Sequence, residues 1–100
     1  MRIVWAPIAL DRADEAARYI AGDRPAAAAK WIDGLFDVVA TLRVFPHKGR
    51  RVPEVGRAEI REVIYGQYRA IYRLEEKRLF ILAVRHQRRQ LSESLLREEQ

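Results

Sequence analysis

Arginine side chains recur along the β-rich second half of the chain, and their type and spacing suit the binding of anions. Residues 60–89 read IREVIYGQYRAIYRLEEKRLFILAVRHQRR, three runs rich in Val, Ile, Tyr and Phe that end in a basic cluster. Residues 1–45 hold six Lys or Arg against six Asp or Glu, whereas residues 46–100 hold thirteen against eight, so the second half carries the whole net charge of +5. A basic surface built on strands attracts phosphates, acidic protein segments or both.

The middle strand of this segment places two arginines on one face. Side chains alternate along a strand, so Arg69 and Arg73 point to the same side of the sheet, with Ile71 between them. Aligned arginines suggest anion recognition, because the guanidinium fork matches phosphate and carboxylate geometry. Cross-strand pairing with Glu62 or Glu59 is the structural alternative, and the sequence leaves both open. We expect Arg69 to be a surface side chain whose loss leaves the fold almost intact.

Other candidate side chains lie at the ends of the strands. Arg61 lies near the start of the first of these strands, next to Glu62. The sequence does not decide between a local ion pair and a functional role for this arginine. Four basic side chains follow the last strand, at an edge where ligand groups are commonly displayed: Arg85, His86, Arg88 and Arg89. His86 has the chemistry of a general base near neutral pH, and a packed or hydrogen-bonded histidine is the structural alternative.

Several familiar chemistries have no motif in this sequence. The chain has no cysteine, which excludes a disulfide framework and thiolate sites, and it has neither an HExxH motif nor a glycine-rich phosphate loop. We therefore expect no metal and no cofactor. No apolar run approaches 18 residues, and the N-terminus is too soon interrupted by Pro7 and Asp11 to be a secretory signal, so we expect a cytoplasmic protein without a membrane segment.

The elements that must position these side chains form one domain over residues 1–100. The predicted elements are a strand at 2–6, a helix at 8–20 that Gly22 ends, a second helix from Pro25 to about residue 45, a loop at 46–57, and strands at 59–65, 68–74 and 78–84. The second helix carries a core stripe of Ile32, Leu35, Val39 and Leu42. Gly34 inside it indicates close approach of a neighbouring element.

This order predicts an α+β fold, β-α-α-β-β-β. Two helices joined by a short link form an antiparallel hairpin, which packs on one face of a small antiparallel sheet. Residues 90–100 form a C-terminal tail. The sequence does not decide between a flexible segment and a weak helix that becomes ordered on binding a partner.

Six short motifs occur in order along nearly the whole chain: I-V-W-A-P-x-A at 3–9, the helix start at 25–31, G-R-R-V-P-E at 49–54, I-R-E at 60–62, Y-R-A-I-Y at 68–72 and V-R-H-Q-R-R at 84–89. Their order and spacing resemble the ParE/RelE superfamily of toxins from type II toxin–antitoxin systems. The resemblance implies a small sheet holding two N-terminal helices, a cognate ParD-like or RelB-like antitoxin as partner, and roles in growth arrest and plasmid stabilisation.

The superfamily divides in activity. RelE-like members cleave mRNA on the ribosome without a metal, whereas ParE-like members poison DNA gyrase. Arg69 matches the arginine that RelE and YoeB toxins use at the scissile phosphate, and Glu54 resembles a loop glutamate that serves as a base in YoeB toxins. The ribonuclease alternative implies a catalytic set of Arg61, Arg69, Arg85, His86 and Glu54.

The C-terminal end of the chain departs from the ribonuclease pattern. Gln87 and Arg88 stand where a YoeB-like His-Tyr pair would fall, no tyrosine follows Tyr72, and the lysines of RelE-like members are absent from the first strand of the meander. The V-x-H-x-R-R run is closer to the usual ParE ending. The resemblance therefore favours a gyrase inhibitor, with mRNA cleavage as the alternative, and implies target-binding residues Arg73, Arg85, His86, Arg88 and Arg89.

Overall fold

A computed structural model describes residues 1–88 of the chain. The helices are α1 (Pro7–Ala21) and α2 (Pro25–Ala40), and the strands are β1 (Arg2–Trp5), β2 (Arg50–Arg51), β3 (Ile60–Tyr65), β4 (Tyr68–Leu74) and β5 (Arg78–His86). No helix within these residues has the length and apolar character needed to cross a membrane. The predicted tail at 90–100 lies outside the described residues.

The five strands form one mixed sheet in the order β1-β5-β4-β3-β2. Strands β2 to β5 pair antiparallel, and β1 pairs parallel with β5, with Arg2 opposite Arg78. The predicted α+β fold is confirmed. The helical hairpin connects β1 to β2, which form opposite edges of the sheet. The sheet is thus mixed rather than wholly antiparallel, and it gains β2 from the segment predicted as a loop.

Proline and glycine set the helix boundaries. Pro7 and Pro25 each occupy the first turn of a helix, where a missing N–H costs nothing. Gly22 ends α1 with φ of 61°, and its N–H bonds to the Arg18 carbonyl. The second helix is shorter than predicted: it ends at Ala40 and tightens into a 3-10 turn over Thr41–Arg43. The Thr41 hydroxyl donates to the Val38 carbonyl, a local bond that competes with continued helix.

The main core lies between the helices and the face of the sheet that we call the inner face. Leu35, Val39 and Leu42 are fully buried there, which confirms the predicted stripe, while Ile32 is half-buried. Close approach at Gly34 is also confirmed, because a Cβ built there would lie 2.2 Å from the Tyr65 hydroxyl oxygen. The Tyr65 hydroxyl donates to the Trp31 carbonyl at 2.9 Å and fixes α2 on β3.

A smaller apolar cluster covers the opposite, outer face. Its buried members are Val52, Ile60, Ile71, Leu82 and Ala83. A bulge in the β4–β5 pairing next to Ile71 brings the consecutive residues Leu82 and Ala83 into this same cluster. Because Val52 follows β2, the segment after that strand folds over the outer face instead of remaining a free loop.

Candidate functional site

Arg69 lies at the centre of a buried ionic network on the outer face. Its guanidinium group donates to both carboxylate oxygens of Glu54, at 3.1 and 2.6 Å, and to Glu62 at 3.0 Å. The side chains of Arg69 and Glu62 are 4% and 0% exposed. Glu62 also accepts a bond of 2.6 Å from Arg50 Nε. Two arginines and two carboxylates thus connect β2, β3, β4 and the turn that carries Glu54.

This network changes the interpretation of Arg69. The expectation of a surface side chain is wrong, because Arg69 is 3% exposed and its charge is matched by buried carboxylates. The hydrogen bonds that Arg69 donates to Glu54 and then to Glu62 raise the pKa of Arg69 against the opposing effect of burial, so the group stays charged at every accessible pH. Arg73 lies on the same face, as predicted, and it pairs with Glu75.

A second buried polar group holds the segment that precedes β2. The Tyr72 hydroxyl donates to the Pro46 carbonyl at 2.8 Å and accepts the Gly49 N–H at 3.0 Å. Burial raises the pKa of Tyr72, which keeps the hydroxyl protonated as this pair of bonds requires. Arg61 donates to the Gly49 carbonyl at 2.8 Å and to the Ala58 carbonyl at 3.2 Å.

His86 is engaged at both ring nitrogens. Its Nδ1 accepts the backbone N–H of Arg88 at 3.2 Å, and its Nε2 lies 3.3 Å from the Gln67 amide oxygen. With Nδ1 as the acceptor, Nε2 is the ring nitrogen placed to donate to Gln67. The ring also packs edge-to-face on Tyr68, with centroids 5.4 Å apart. His86 can act as a base at Nδ1 only by releasing the Arg88 amide.

The catalytic candidates are divided between the two faces of the sheet. Arg69 and Arg85 are register partners on β4 and β5 and share the outer face with Glu54. Arg61 is the register partner of Tyr72, and His86 is the partner of Tyr68. Both tyrosines pack on the inner-face core, so Arg61 and His86 point to that side. The structure therefore brings three candidates together and separates the other two.

The target-binding candidates are also dispersed. Arg85, His86 and Arg88 are near one another at the end of β5, with Arg88 exposed. Arg73 is four residues from Arg69 along β4, about 13 Å at the usual strand rise. Arg89 lies outside the described residues.

Sequence reasoning missed the roles of Tyr72 and Arg50, whereas pairing of Arg69 with Glu62 was one of the alternatives that it left open. Strand alternation places Tyr72 on the face of β4 opposite Arg69, but an aromatic residue type does not indicate which groups its hydroxyl will bond. The run of Arg50 and Arg51 opposite the I-R-E of β3 was the available signal for a short paired strand. Among the described residues, no group of three His, Asp or Glu side chains is placed to hold a metal ion.

Comparison with known proteins places this chain in a family. Residues 3–91 match the family model described as the ParE toxin of the type II toxin–antitoxin system parDE. A solved structure titled "Chromosomal ParDE TA system from P. aeruginosa" is similar at a TM-score of 0.71 and 20% identity, over 86% of this chain and 95% of that one. A comparison with curated proteins gave no match. The match over most of the chain shows that it belongs to the ParE toxin family of type II toxin–antitoxin systems.

Proposed function

We propose that this toxin inhibits DNA gyrase in the cytoplasm and is neutralised by a cognate ParD-like antitoxin. The burial and ion pairing of Arg69 favour gyrase over mRNA as the target. The arginine that would bind a scissile phosphate in an mRNA-cleaving relative is bound by Glu54 and Glu62 and is nearly inaccessible. A phosphate would have to displace two carboxylates from a buried cation, which carries a large desolvation cost.

The other groups of the ribonuclease alternative support the same choice. Metal-independent phosphoryl transfer needs cations and a proton-transfer group arranged around one phosphate. Here Glu54 is bound to Arg69, and Arg61 and His86 point to the opposite face of the sheet. This division favours a protein that binds its target over one that cleaves RNA.

For the gyrase contact we propose the end of β5, with Arg85, His86, Arg88 and the following Arg89. The hydrogen bond from the Arg88 amide to His86 fixes the backbone where the chain leaves the sheet. Arg73 contributes at a separate point of the outer face. The antitoxin partner is proposed from family membership and from the net charge of +5, which an acidic antitoxin segment complements.

A paired assay tests the proposal. Purified toxin is added to gyrase with relaxed plasmid and, separately, to a translating extract, with and without the antitoxin encoded beside it. We expect loss of supercoiling or accumulation of cleaved DNA, intact mRNA, and rescue by the antitoxin. Codon-phased mRNA cuts with unchanged supercoiling would show that the chain is a ribonuclease.

A charge-matched pair of variants tests the contact residues. Replacing Arg88 and Arg89 by Ala should abolish gyrase inhibition, whereas replacing Arg18 and Arg24 on the helical hairpin removes the same charge and should leave inhibition near wild type. Equal inhibition by both variants would exclude the end of β5 as the contact.

A further inference from the structure

We infer that the open edge of β1 binds an extended, acidic and apolar segment of a partner protein, which adds a further strand to the sheet. Among the described residues β1 pairs only with β5, so it forms one edge of the sheet. An open strand edge beside an apolar groove is an arrangement that binds peptides by strand addition. The inference rests on the proposed function for the source of the segment, which is the antitoxin.

Two residues of β1 direct their backbone groups away from β5. The Ala6 N–H bonds to the Ile81 carbonyl at 2.9 Å, so Ala6 faces β5. Backbone groups of successive residues alternate between the two sides of a strand, so Val4 also faces β5, whereas Ile3 and Trp5 face the open edge. The N–H and C=O groups of Ile3 and Trp5 are therefore placed to bond to an added strand.

An apolar groove of about 300 Å³ lies beside this edge, between β1 and the C-terminal part of α2. Its lining includes Ile3, Trp5, Leu10, Phe36, Ala40 and Arg43. The Trp5 and Phe36 rings pack edge-to-face with their centroids 5.0 Å apart. Leu10 and Phe36 are 42% and 38% exposed, so apolar surface in the groove remains open to solvent. Ile3 and Trp5 pack on the inner-face core, and every second side chain of an added strand would lie on that same face and cover the groove.

Arg43 gives the groove a positive charge. It lines the groove beside the start of β1, where its carbonyl oxygen lies 3.3 Å from the Met1 nitrogen. The Arg43 side chain is exposed, and within residues 1–88 it forms no ion pair. A carboxylate on the bound segment would supply that pair.

The same charge argues against a second copy of this chain as the occupant. Pairing of two β1 edges would bring two such grooves together, and their described lining contains no carboxylate for Arg43. Two chains that each carry a net charge of +5 also repel one another. A segment with apolar residues at alternate positions and Asp or Glu near Arg43 satisfies the backbone, the groove and the arginine together.

Amide hydrogen exchange read by NMR tests strand addition directly, on the full chain alone and with the antitoxin encoded beside it. We expect the Ile3 and Trp5 amides to exchange fast in the free toxin and slowly in the complex, whereas the Val4 and Ala6 amides are protected in both. Fast exchange at Ile3 and Trp5 in the complex would overturn the inference. Protection of both amides in the free toxin that is lost on deletion of residues 89–100 would make the chain's own tail the occupant, which also overturns it.

Two pairs of variants test the groove through antitoxin affinity, with melting temperatures of the free proteins to check folding. Arg43→Glu reverses the charge of the groove, and Arg51→Glu makes the same change on β2 at the opposite edge of the sheet. Ala40→Trp fills the groove, and Ala29→Trp places the same ring at another exposed position of α2. We expect each groove variant to weaken binding by at least about tenfold and each control by less than about threefold. Equal losses within both pairs would contradict the inference.

Gyrase inhibition separates this inference from the proposed function. The groove lies beside residues 78–81 of β5 and not at the end of that strand, so Arg43→Glu and Ala40→Trp should inhibit gyrase as wild type does but escape rescue by the antitoxin. Full rescue of both variants would overturn the inference alone. Wild type that binds the antitoxin without inhibiting gyrase would remove the proposed target and leave the inference standing, whereas wild type that binds no antitoxin would overturn the partnership and the inference together. A concentration-dependent toxin dimer that Ala40→Trp disrupts would make a second copy the occupant and overturn the inference.

Discussion

The helical hairpin and the segment around β2 are held in place by opposite means. Residues 7–40 carry four Lys or Arg and six Asp or Glu, a net charge of −2, and they bind the sheet through apolar side chains. Residues 43–57 carry five Lys or Arg and one Glu, a net charge of +4, and they are held largely by buried polar groups. The basic segment is therefore held by buried polar contacts although it has little regular structure.

The two segments differ because their backbone N–H and C=O groups find hydrogen-bond partners in different ways. A helix satisfies its own N–H and C=O groups, so the hairpin needs only apolar burial to dock. A segment with a two-residue strand must find other partners for its backbone groups. Tyr72 and Arg61 supply them at Pro46, Gly49 and Ala58. Surface cations can then be numerous, because they are not needed for packing.

Removing Arg69 should have the largest effect, and it tests whether buried polar groups hold the segment around β2. Arg69→Ala removes this cation from the buried Glu62 carboxylate and from Glu54, so we expect a loss of about 3–5 kcal/mol in the free energy of unfolding. Chemical denaturation measures it. Arg73→Ala, on the same face but paired with the partly exposed Glu75, should cost at most about 1 kcal/mol. Similar small losses in both variants would show that the network does not hold the segment.

Leu35→Ala tests whether apolar packing holds the helical hairpin on the sheet. Leu35 is fully buried between α2 and the sheet, so truncation leaves a cavity and should cost about 2–5 kcal/mol. That is a large part of the stability of so small a domain, and the melting temperature should fall sharply. Val44→Ala is the matched control, since this exposed side chain should cost little. An unchanged melting temperature for the Leu35 variant would contradict the docking of the hairpin.

These two side chains also show what a sequence can predict. Leu35 was placed in the core because a helical stripe repeats every three to four residues, and its partners need only be apolar. Arg69 was placed on the correct face by strand alternation, but its burial depends on Glu54 and Glu62, which come from two other segments. Periodicity gives a direction for a side chain, whereas burial of a charge depends on partners that only the tertiary fold brings together.

The same limit applies to the candidate site. The sequence placed Arg61 near the start of the first strand of the meander, as observed, but it placed Arg85 and His86 after the last strand, whereas β5 continues through both residues. Whether they converge depends on which face each one takes and on the register of β3, β4 and β5. The bulge beside Ile71 shows why: one added residue in β5 places Leu82 and Ala83 on one face and resets the alternation before Arg85 and His86. Simple alternation from the start of β5 does not predict that shift.

Substitution of either of two glycines by Ala should have a smaller effect on stability. Gly34 and Gly49 can be compared because each lies against a tyrosine hydroxyl. A Cβ at Gly34 would meet the end of the Tyr65 side chain, whereas one at Gly49 would meet the Tyr72 hydroxyl at 2.5 Å and the Glu62 backbone oxygen at 2.6 Å. A side chain can move and backbone cannot, so Gly49→Ala should cost about 1–3 kcal/mol and Gly34→Ala less. Helix propensity offsets part of the Gly34 cost by about 1 kcal/mol.

Thermal melts of the double variants separate the two cases. Tyr65→Phe should recover part of the loss in Gly34→Ala by removing the clashing oxygen. Tyr72→Phe should not rescue Gly49→Ala, because the contact with the Glu62 backbone remains. Rescue at both glycines would mean that the β2 segment adjusts as easily as a side chain.

The smallest effect concerns pH and the surface ion pairs of the sheet. Hydrogen bonds from Arg78 and then Arg73 hold the pKa of Glu75 below its usual 4.5. A carboxyl group whose folded pKa is depressed stabilises the fold above the unfolded pKa and loses that contribution as the pH falls through the folded pKa. Glu75→Gln should therefore flatten the dependence of melting temperature on pH below about 5, with little change at neutral pH. Its exposed neighbour supplies the control, Glu76→Gln. If the melting temperatures of the two variants depend on pH in the same way, Glu75 contributes nothing to stability at acid pH. The carboxylates of the buried Arg69 network would then be the next groups to test.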